Sequence, residues 1–115
     1  MEKKDSEEGI LYQNIKKFIN SADLVYKTED YTSATILYFK ALFAILDLII
    51  LKKEGRLPKD HSERFRMLEI SHNELYIILD KTYEIYRNAY NMIIKKEDCN
   101  NIKDNVNRII KEQRI

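Results

Sequence analysis

The chain has 115 residues, 44% of them hydrophobic, and its 20 basic and 19 acidic side chains give a formal charge of +1. This length fits one domain with a single core over residues 1–115, and the near-neutral charge argues against a protein that holds nucleic acid or anionic lipid through a strong field of one sign. Two glycines and one proline leave few turns, so long helices are expected.

The first predicted element is an amphipathic helix. Asp5 or Ser6 is expected to cap its start, because Glu7 and Glu8 follow with negative charge where a helix N-terminus favours it. The helix is expected to end near Thr28. Its apolar stripe consists of Ile15, Phe18, Ile19, Ala22 and Val25.

The second predicted helix is apolar on almost every face. It is expected to begin after an Asp30 cap, to end at a left-handed Gly55, and to form an antiparallel hairpin with the first helix. Only Lys40 and Asp47 interrupt its middle, so other helices must cover it on two sides. We expect the run to be too short and too charged for a membrane span. The charged N-terminus MEKKDSEEG lacks the apolar region of a signal peptide, so a cytoplasmic protein is expected.

Three further helices follow. A short one is predicted over His61 to Glu69, and the sequence Ser71-His72-Asn73-Glu74 fits a capping box that starts a fourth helix running to about Lys95. Its apolar surface is expected to include Leu75, Ile78, Leu79, Thr82, Ile85, Tyr86, Ala89 and Ile93. A last helix within about 96–115, capped by Asp98 or Asn100, would bury Ile102, Val106, Ile109 and Ile110. Four to five helices joined by short links predict an all-α antiparallel bundle.

A polar seam is predicted between the second and fourth helices. Lys40 and Asp47 are seven residues apart and therefore share a stripe, as do Asp80 and Arg87. One interpretation pairs Asp47 with Arg87, or Lys40 with Asp80, as salt bridges that fix the helix register. The other places Arg87, Asn88 and Asp47 in a groove that receives a phosphate or a partner's side chain.

The order of these features resembles the HEPN domain, a family of small helical bundles. The resemblance covers roughly residues 12 to 94 and rests on the segments EDYTSATILYFKALFAILDLII, DHSERFRMLE and ILDKTYEIYRNAYN. It implies a HEPN-like bundle that dimerises through the helices carrying an Arg motif, and a nucleotidyltransferase partner in a toxin–antitoxin pair. Many HEPN proteins resemble metal-independent ribonucleases whose motif is an Arg, often followed by Asn, with a His several residues later.

Arg87 and Asn88 match the start of that ribonuclease motif, but no His follows within residues 91–96. The missing imidazole would move protons near neutral pH, so catalysis by that mechanism is not expected. His61 is a weak candidate to replace the missing His, and His72 is expected to face solvent. No metal or cofactor site is predicted, because the single Cys99 lacks partner ligands in the sequence around it.

Two surfaces are candidates for binding. Aromatic and polar residues of the fourth helix, with Asp47 of the second, form the candidate interface: Tyr83, Tyr86, Arg87, Asn88, Tyr90 and Asp47. A basic loop is the candidate phosphate contact: Lys52, Lys53, Arg56, Lys59, Arg64 and Arg66.

Three functions remain open from the sequence. The preferred hypothesis is a non-catalytic, homodimeric interaction module with Tyr83, Arg87, Asn88 and Tyr90 at or near the dimer seam. The second is an RNA-binding protein or ribonuclease that uses Arg87 and Asn88. The third is an adaptor resembling a lone tetratricopeptide unit or an MIT-type hairpin, which would bind a peptide helix between its first two helices.

Overall fold

Five α-helices make up the fold that the computed structural model describes for residues 6–115, and this range contains no β-strand. The helices are α1 (Glu7–Lys27), α2 (Tyr31–Glu54), α3 (His61–Ser71), α4 (Asn73–Asn88) and α5 (Lys96–Gln113). The predicted all-α bundle is confirmed.

The boundaries of α1 follow its caps. The Ser6 hydroxyl accepts a hydrogen bond from the Gly9 backbone N–H at 3.0 Å, so Ser6 is the N-cap, while the alternative Asp5 lies outside the described residues. Thr28 is the C-cap, as expected. Two of the predicted stripe residues, Ile15 and Ala22, are buried.

Both predicted ends of α2 are confirmed. The Asp30 carboxylate accepts from the Ser33 backbone N–H at 3.0 Å, which satisfies one of the unpaired donors at the helix start. Gly55 ends the helix with φ +80°, a left-handed conformation that glycine adopts without strain. α2 contacts each of the other four helices, which explains why it is apolar on nearly all faces.

By length and composition, α2 could cross a bilayer, so the expectation that it is too short and too charged is wrong. The helix has 24 residues, and Lys40 and Asp47 do not lower its apolar character enough to fail that test. However, 61% of its most apolar stretch is buried inside the bundle. The core helix of a soluble protein has these same properties, so length and composition do not indicate a membrane span here.

The long helices pack side by side in alternating directions. Tyr12 of α1 is hydrogen-bonded to Lys52 at the end of α2, and Asp23 of α1 accepts from the Tyr38 hydroxyl nearer the start of α2, so the two helices are antiparallel. α5 runs antiparallel to α4 and returns beside α2. Its buried edge consists of Cys99, Ile102, Val106 and Ile109, whereas Ile110 is only partly buried.

The predicted capping box at the start of α4 is wrong. Ser71 is the last residue of α3, and its hydroxyl donates to the Glu54 carboxylate at 3.3 Å instead of capping α4. His72 occupies the N-cap position without a side-chain capping bond. The chain thus passes from α3 to α4 through one residue, which leaves no room for a separate capping box.

α4 ends at Asn88, about one and a half to two turns before the predicted Lys95. After Asn88 the backbone N–H groups of Tyr90 and Asn91 donate to the carbonyls three residues before them, a tighter pattern than that of an α-helix, and the helix ends there. The Ile94 N–H then donates to the Thr32 hydroxyl of α2 at 2.9 Å. This bond carries the chain back to the core and buries Ile94 instead of the predicted Ile93.

The predicted cap of α5 is also wrong. Lys95 is the N-cap and makes no side-chain capping bond, while Asp98 lies inside the first turn. Asn100 accepts a hydrogen bond from the Tyr26 hydroxyl of α1. Negative charge in the first turn stabilises the helix N-terminus, so Glu97 and Asp98 contribute there without serving as the cap.

Candidate interaction surface

A cluster of aromatic rings joins α2, α3 and α4. The rings of Phe43 and Tyr86 pack edge-to-face with centroids 5.1 Å apart, and those of Phe65 and Tyr83 do the same at 5.0 Å. Phe39, Tyr76 and Tyr90 extend the cluster. The seven-residue spacing of Tyr76, Tyr83 and Tyr90 gives α4 a stripe whose first two members face α3.

Tyr86 and Tyr90 form the outer end of this cluster. Their hydroxyl oxygens are 3.1 Å apart, and Tyr90 is 59% exposed. Burial, and next the hydrogen bond to Tyr90, raise the pKa of Tyr86 to about 12. Tyr86 is therefore a neutral phenol at physiological pH and does not serve as a base there.

Asp47 pairs with Arg64 of α3, not with Arg87 as predicted. The Arg64 Nε and Nη2 atoms lie 2.7 and 3.0 Å from the two Asp47 carboxylate oxygens, and both side chains are mostly buried. Arg87 is exposed in the last turn of α4. The other predicted pair, Lys40 with Asp80, is not among the ion pairs of residues 6–115, and both side chains face solvent.

His61 lies at the start of α3 against the aromatic cluster. Its ring centroid is 4.9 Å from that of Phe43 and 6.3 Å from that of Tyr86, and its Nδ1 accepts from the Arg64 guanidinium. Burial, and next the charge of Arg64, lower the pKa of His61. The imidazole is thus neutral at physiological pH and already holds one hydrogen bond.

The candidate catalytic residues do not form one constellation. Within residues 6–115, no hydrogen bond joins His61 to Arg87 or Asn88. The Asn88 carbonyl accepts from the backbone N–H groups of Asn91 and Met92 and so helps to end the helix. The structure places His61 beside Tyr86 and leaves Arg87 on the solvent side of α4.

Four of the six cations of the predicted basic loop have a local side-chain partner. The Glu63 carboxylate contacts Arg56 at 3.1 Å and Arg66 at 3.5 Å, and it accepts from the Lys59 backbone N–H, which lowers the pKa of Glu63. Arg64 is held by Asp47, and the Lys52 ammonium donates to the Tyr12 hydroxyl at 2.7 Å. Of the six cations, Lys53 and the Lys59 ammonium lack such a partner in the described chain.

The segment 89–95 between α4 and α5 contains Ile93, the most exposed large apolar side chain among the described residues, together with other exposed apolar residues. Ile93 is 90% exposed, Met92 is 60% exposed, and Tyr90 adds the outer ring of the aromatic cluster. Exposed apolar residues that adjoin one another mark contact surfaces more often than isolated ones do. Sequence reasoning assigned Ile93 to the core and overlooked Met92, because the apolar pattern of α4 continues through the turn.

Comparisons with models of protein families, with curated proteins and with solved structures found no significant match. The likeness to the HEPN family thus rests on the residue pattern of the second, third and fourth helices. The geometry of the surface described above supplies the remaining argument about function.

Proposed function

We propose that this protein is a non-catalytic interaction module that forms a homodimer through the end of α4 and the segment 89–95. One observation carries the proposal: Tyr90, Met92 and Ile93, which fall within four consecutive residues where α4 ends, are all exposed. Aromatic residues, Met and Arg are enriched in protein interfaces, and Arg87 adjoins this segment. Burying these side chains against a second copy removes apolar surface from water.

The interface needs more area than the segment 89–95 supplies. Stable interfaces bury roughly 800 Å² on each partner, so the outer face of α4 must contribute. Arg87 and Asn88 lie on that part of the chain. The Tyr86 ring packs against Tyr90 on one side and against Tyr83 on the other. Asp47 takes part only by holding Arg64, because its carboxylate is already paired.

The HEPN resemblance fits this function and names a further partner. A HEPN-like module that lacks the motif His would act by binding, and many similar family members accompany a nucleotidyltransferase. We therefore include a nucleotidyltransferase as the proposed second partner and the cytoplasm as the proposed location. His61 supports a non-catalytic role, since its Nδ1 is occupied by the Arg64 guanidinium and no hydrogen bond in the described chain joins it to Arg87.

Light scattering coupled to size-exclusion chromatography tests the dimer. Wild-type protein at micromolar concentration is expected to have twice the chain mass, and Met92→Glu with Ile93→Glu is expected to have the mass of one chain, because charge cannot be buried in an apolar interface. Leu24→Glu is the matched control, since Leu24 is 65% exposed on α1. A monomeric wild type, or equal masses for wild type and the segment variant, would contradict the proposal.

RNA binding with weak cleavage is the second candidate, and one contact favours it. His61 lies against Tyr86, the residue before Arg87, so α3 brings an imidazole to the same end of α4. His61 could accept the proton of a ribose 2′-hydroxyl at Nδ1 only after Arg64 releases that nitrogen, while Arg87 holds phosphate. RNA cleavage by purified protein that both His61→Ala and Arg87→Ala abolish would support this candidate, and intact RNA in the wild-type reaction would exclude it.

A further inference from the structure

A groove lies between α4 and α5, away from the proposed dimer surface. Both helices pack on α2, but they make only a narrow contact with each other. The middle of the groove is lined by Ile77, Ile78, Lys81, Thr82, Asn101, Asn105 and Arg108. The residues that line its adjoining end include Glu74, Ile78, Glu112 and Gln113. The two parts adjoin at Ile78, and we call them together the α4–α5 groove.

The α4–α5 groove offers one accessible apolar side chain, Ile77, which is 41% exposed. Ile78 is partly buried, and Thr82 is buried with its hydroxyl donating to the Ile78 carbonyl. From Glu74 to Thr82 the groove follows α4 for about 12 Å, which is slightly more than two turns of a helix laid along it. A short amphipathic helix fits this length with one or two apolar side chains on Ile77.

The charges along the groove are segregated. Lys81 and Arg108 lie in the middle with no carboxylate among the lining residues, whereas Glu74 and Glu112 lie at the end with no cation. None of these four side chains is in an ion pair within the described part of the chain. Arg108 instead donates to the Asn105 amide oxygen at 2.8 Å, which fixes its guanidinium at the groove edge.

We propose that the α4–α5 groove binds an amphipathic helix of a partner protein whose own charges are segregated. Carboxylates of that helix would contact Lys81 and Arg108, its cations would contact Glu74 and Glu112, and its apolar face would cover Ile77. Complementary charges of this kind set specificity and orientation more than affinity. The structure thus moves the helix-binding adaptor hypothesis from the first two helices, which pack directly on each other, to the last two.

Binding of a labelled helical peptide tests the proposal. The probe is an alanine- and leucine-based peptide of about 20 residues, long enough to be helical, with Glu in its N-terminal half and Lys in its C-terminal half. A second peptide of the same composition alternates Glu and Lys. Fluorescence anisotropy is expected to show roughly tenfold tighter binding of the segregated peptide to the wild-type protein.

Paired charge reversals locate the site. Lys81→Glu with Arg108→Glu makes the groove acidic along its length and is expected to abolish the preference for the segregated peptide. Lys16→Glu with Lys17→Glu on α1 changes the net charge equally and is expected to preserve it. Amide shifts at Ile77 and Asn105 on addition of the segregated peptide would map binding to the groove, and circular dichroism verifies that each variant is folded.

Any of three peptide-binding results would overturn the inference. They are equal affinity for the two peptides, an unchanged preference in the groove variant, and an equal loss of preference in the α1 variant. A lower solution mass of the groove variant without peptide would show that a second copy occupies the groove, which also overturns it. The dimer proposal depends on Met92 and Ile93 and is tested by mass alone, so either proposal can fail while the other holds.

Discussion

At the scale of single residues, the pairing of Asp47 with Arg64 fixes α3 to the central helix. The Arg64 guanidinium also lies over the Phe43 ring, 5.0 Å from its centroid, so one side chain links the charge pair to the aromatic cluster. A mostly buried ion that loses its partner keeps its desolvation cost without the compensating attraction.

Asp47→Ala is therefore expected to lower the free energy of unfolding by about 2 kcal/mol, the range for losing a hydrogen-bonded charged partner. Urea denaturation monitored by circular dichroism measures this. Lys40→Ala is the control, because Lys40 is exposed on the same helix and its loss should cost at most about 0.5 kcal/mol. Equal stability of Asp47→Ala and the wild type would show that the ion pair contributes nothing.

His61 makes the stability depend on pH. Its folded-state pKa is lowered by burial and by Arg64, with Lys40 acting in the same direction and Asp47 and Asp60 opposing. The rings of Tyr83 and Tyr86 also face it. The folded state disfavours protonation of His61. The stability that His61 contributes is therefore fully present above the ordinary imidazole pKa of about 6.5, and it is lost as the pH falls through the lower pKa of His61 in the folded state.

We expect wild-type protein to lose more stability than His61→Gln between about pH 7.5 and pH 5, a window that brackets the imidazole pKa. Asp30 and Glu63 have lowered pKa values and titrate below this window, so they do not account for the difference. Denaturation curves of both proteins at the two pH values measure it. Parallel losses in the two proteins would contradict the assignment.

At the scale of elements, substitution of Gly55 tests how much the left-handed end of α2 contributes to stability. A Cβ at this position meets no atom within 4 Å, so substitution changes only the backbone preference at φ +80°. Gly55→Ala is expected to cost about 1 kcal/mol, and Gly55→Asn less, because Asn tolerates the left-handed conformation. Thermal unfolding of the three proteins measures the order, and an alanine variant as stable as the wild type would show that the helix end adapts.

The sequence predicted the elements whose ends are marked by local chemistry. Asp30 and Gly55 bound α2 because a capping carboxylate and a left-handed glycine act within a few residues. The end of α4 was missed because it depends on a distant contact, the Ile94 N–H with the Thr32 hydroxyl. No periodicity in the helix itself records that bond.

The candidate surface was predicted only in part, because spacing within one helix does not show which residues of another helix it meets. Tyr86, Tyr90 and Arg87 were identified from helical spacing, and they lie at the proposed interface end of α4. The pairing of Asp47 with Arg64 was missed because it depends on how α3 crosses α2, which the spacing within either helix does not determine.

At the scale of the whole molecule, α2 organises the bundle and the segment 89–95 gives it an outward-facing apolar surface. The other four helices cover the apolar faces of α2, so little of its apolar surface is left to offer a partner. The segment 89–95 differs, since only Ala89 and Ile94 are buried in it. This contrast is the physical basis for assigning the interface to the end of α4.

Amide hydrogen exchange at two protein concentrations tests that assignment most directly. Dimer formation follows mass action, so the amides of residues 89–95 are expected to exchange more slowly at the higher concentration, while those of the α1 surface around Leu24 keep the same rate. Exchange in 89–95 that is independent of concentration, while the protein stays folded, would contradict the account.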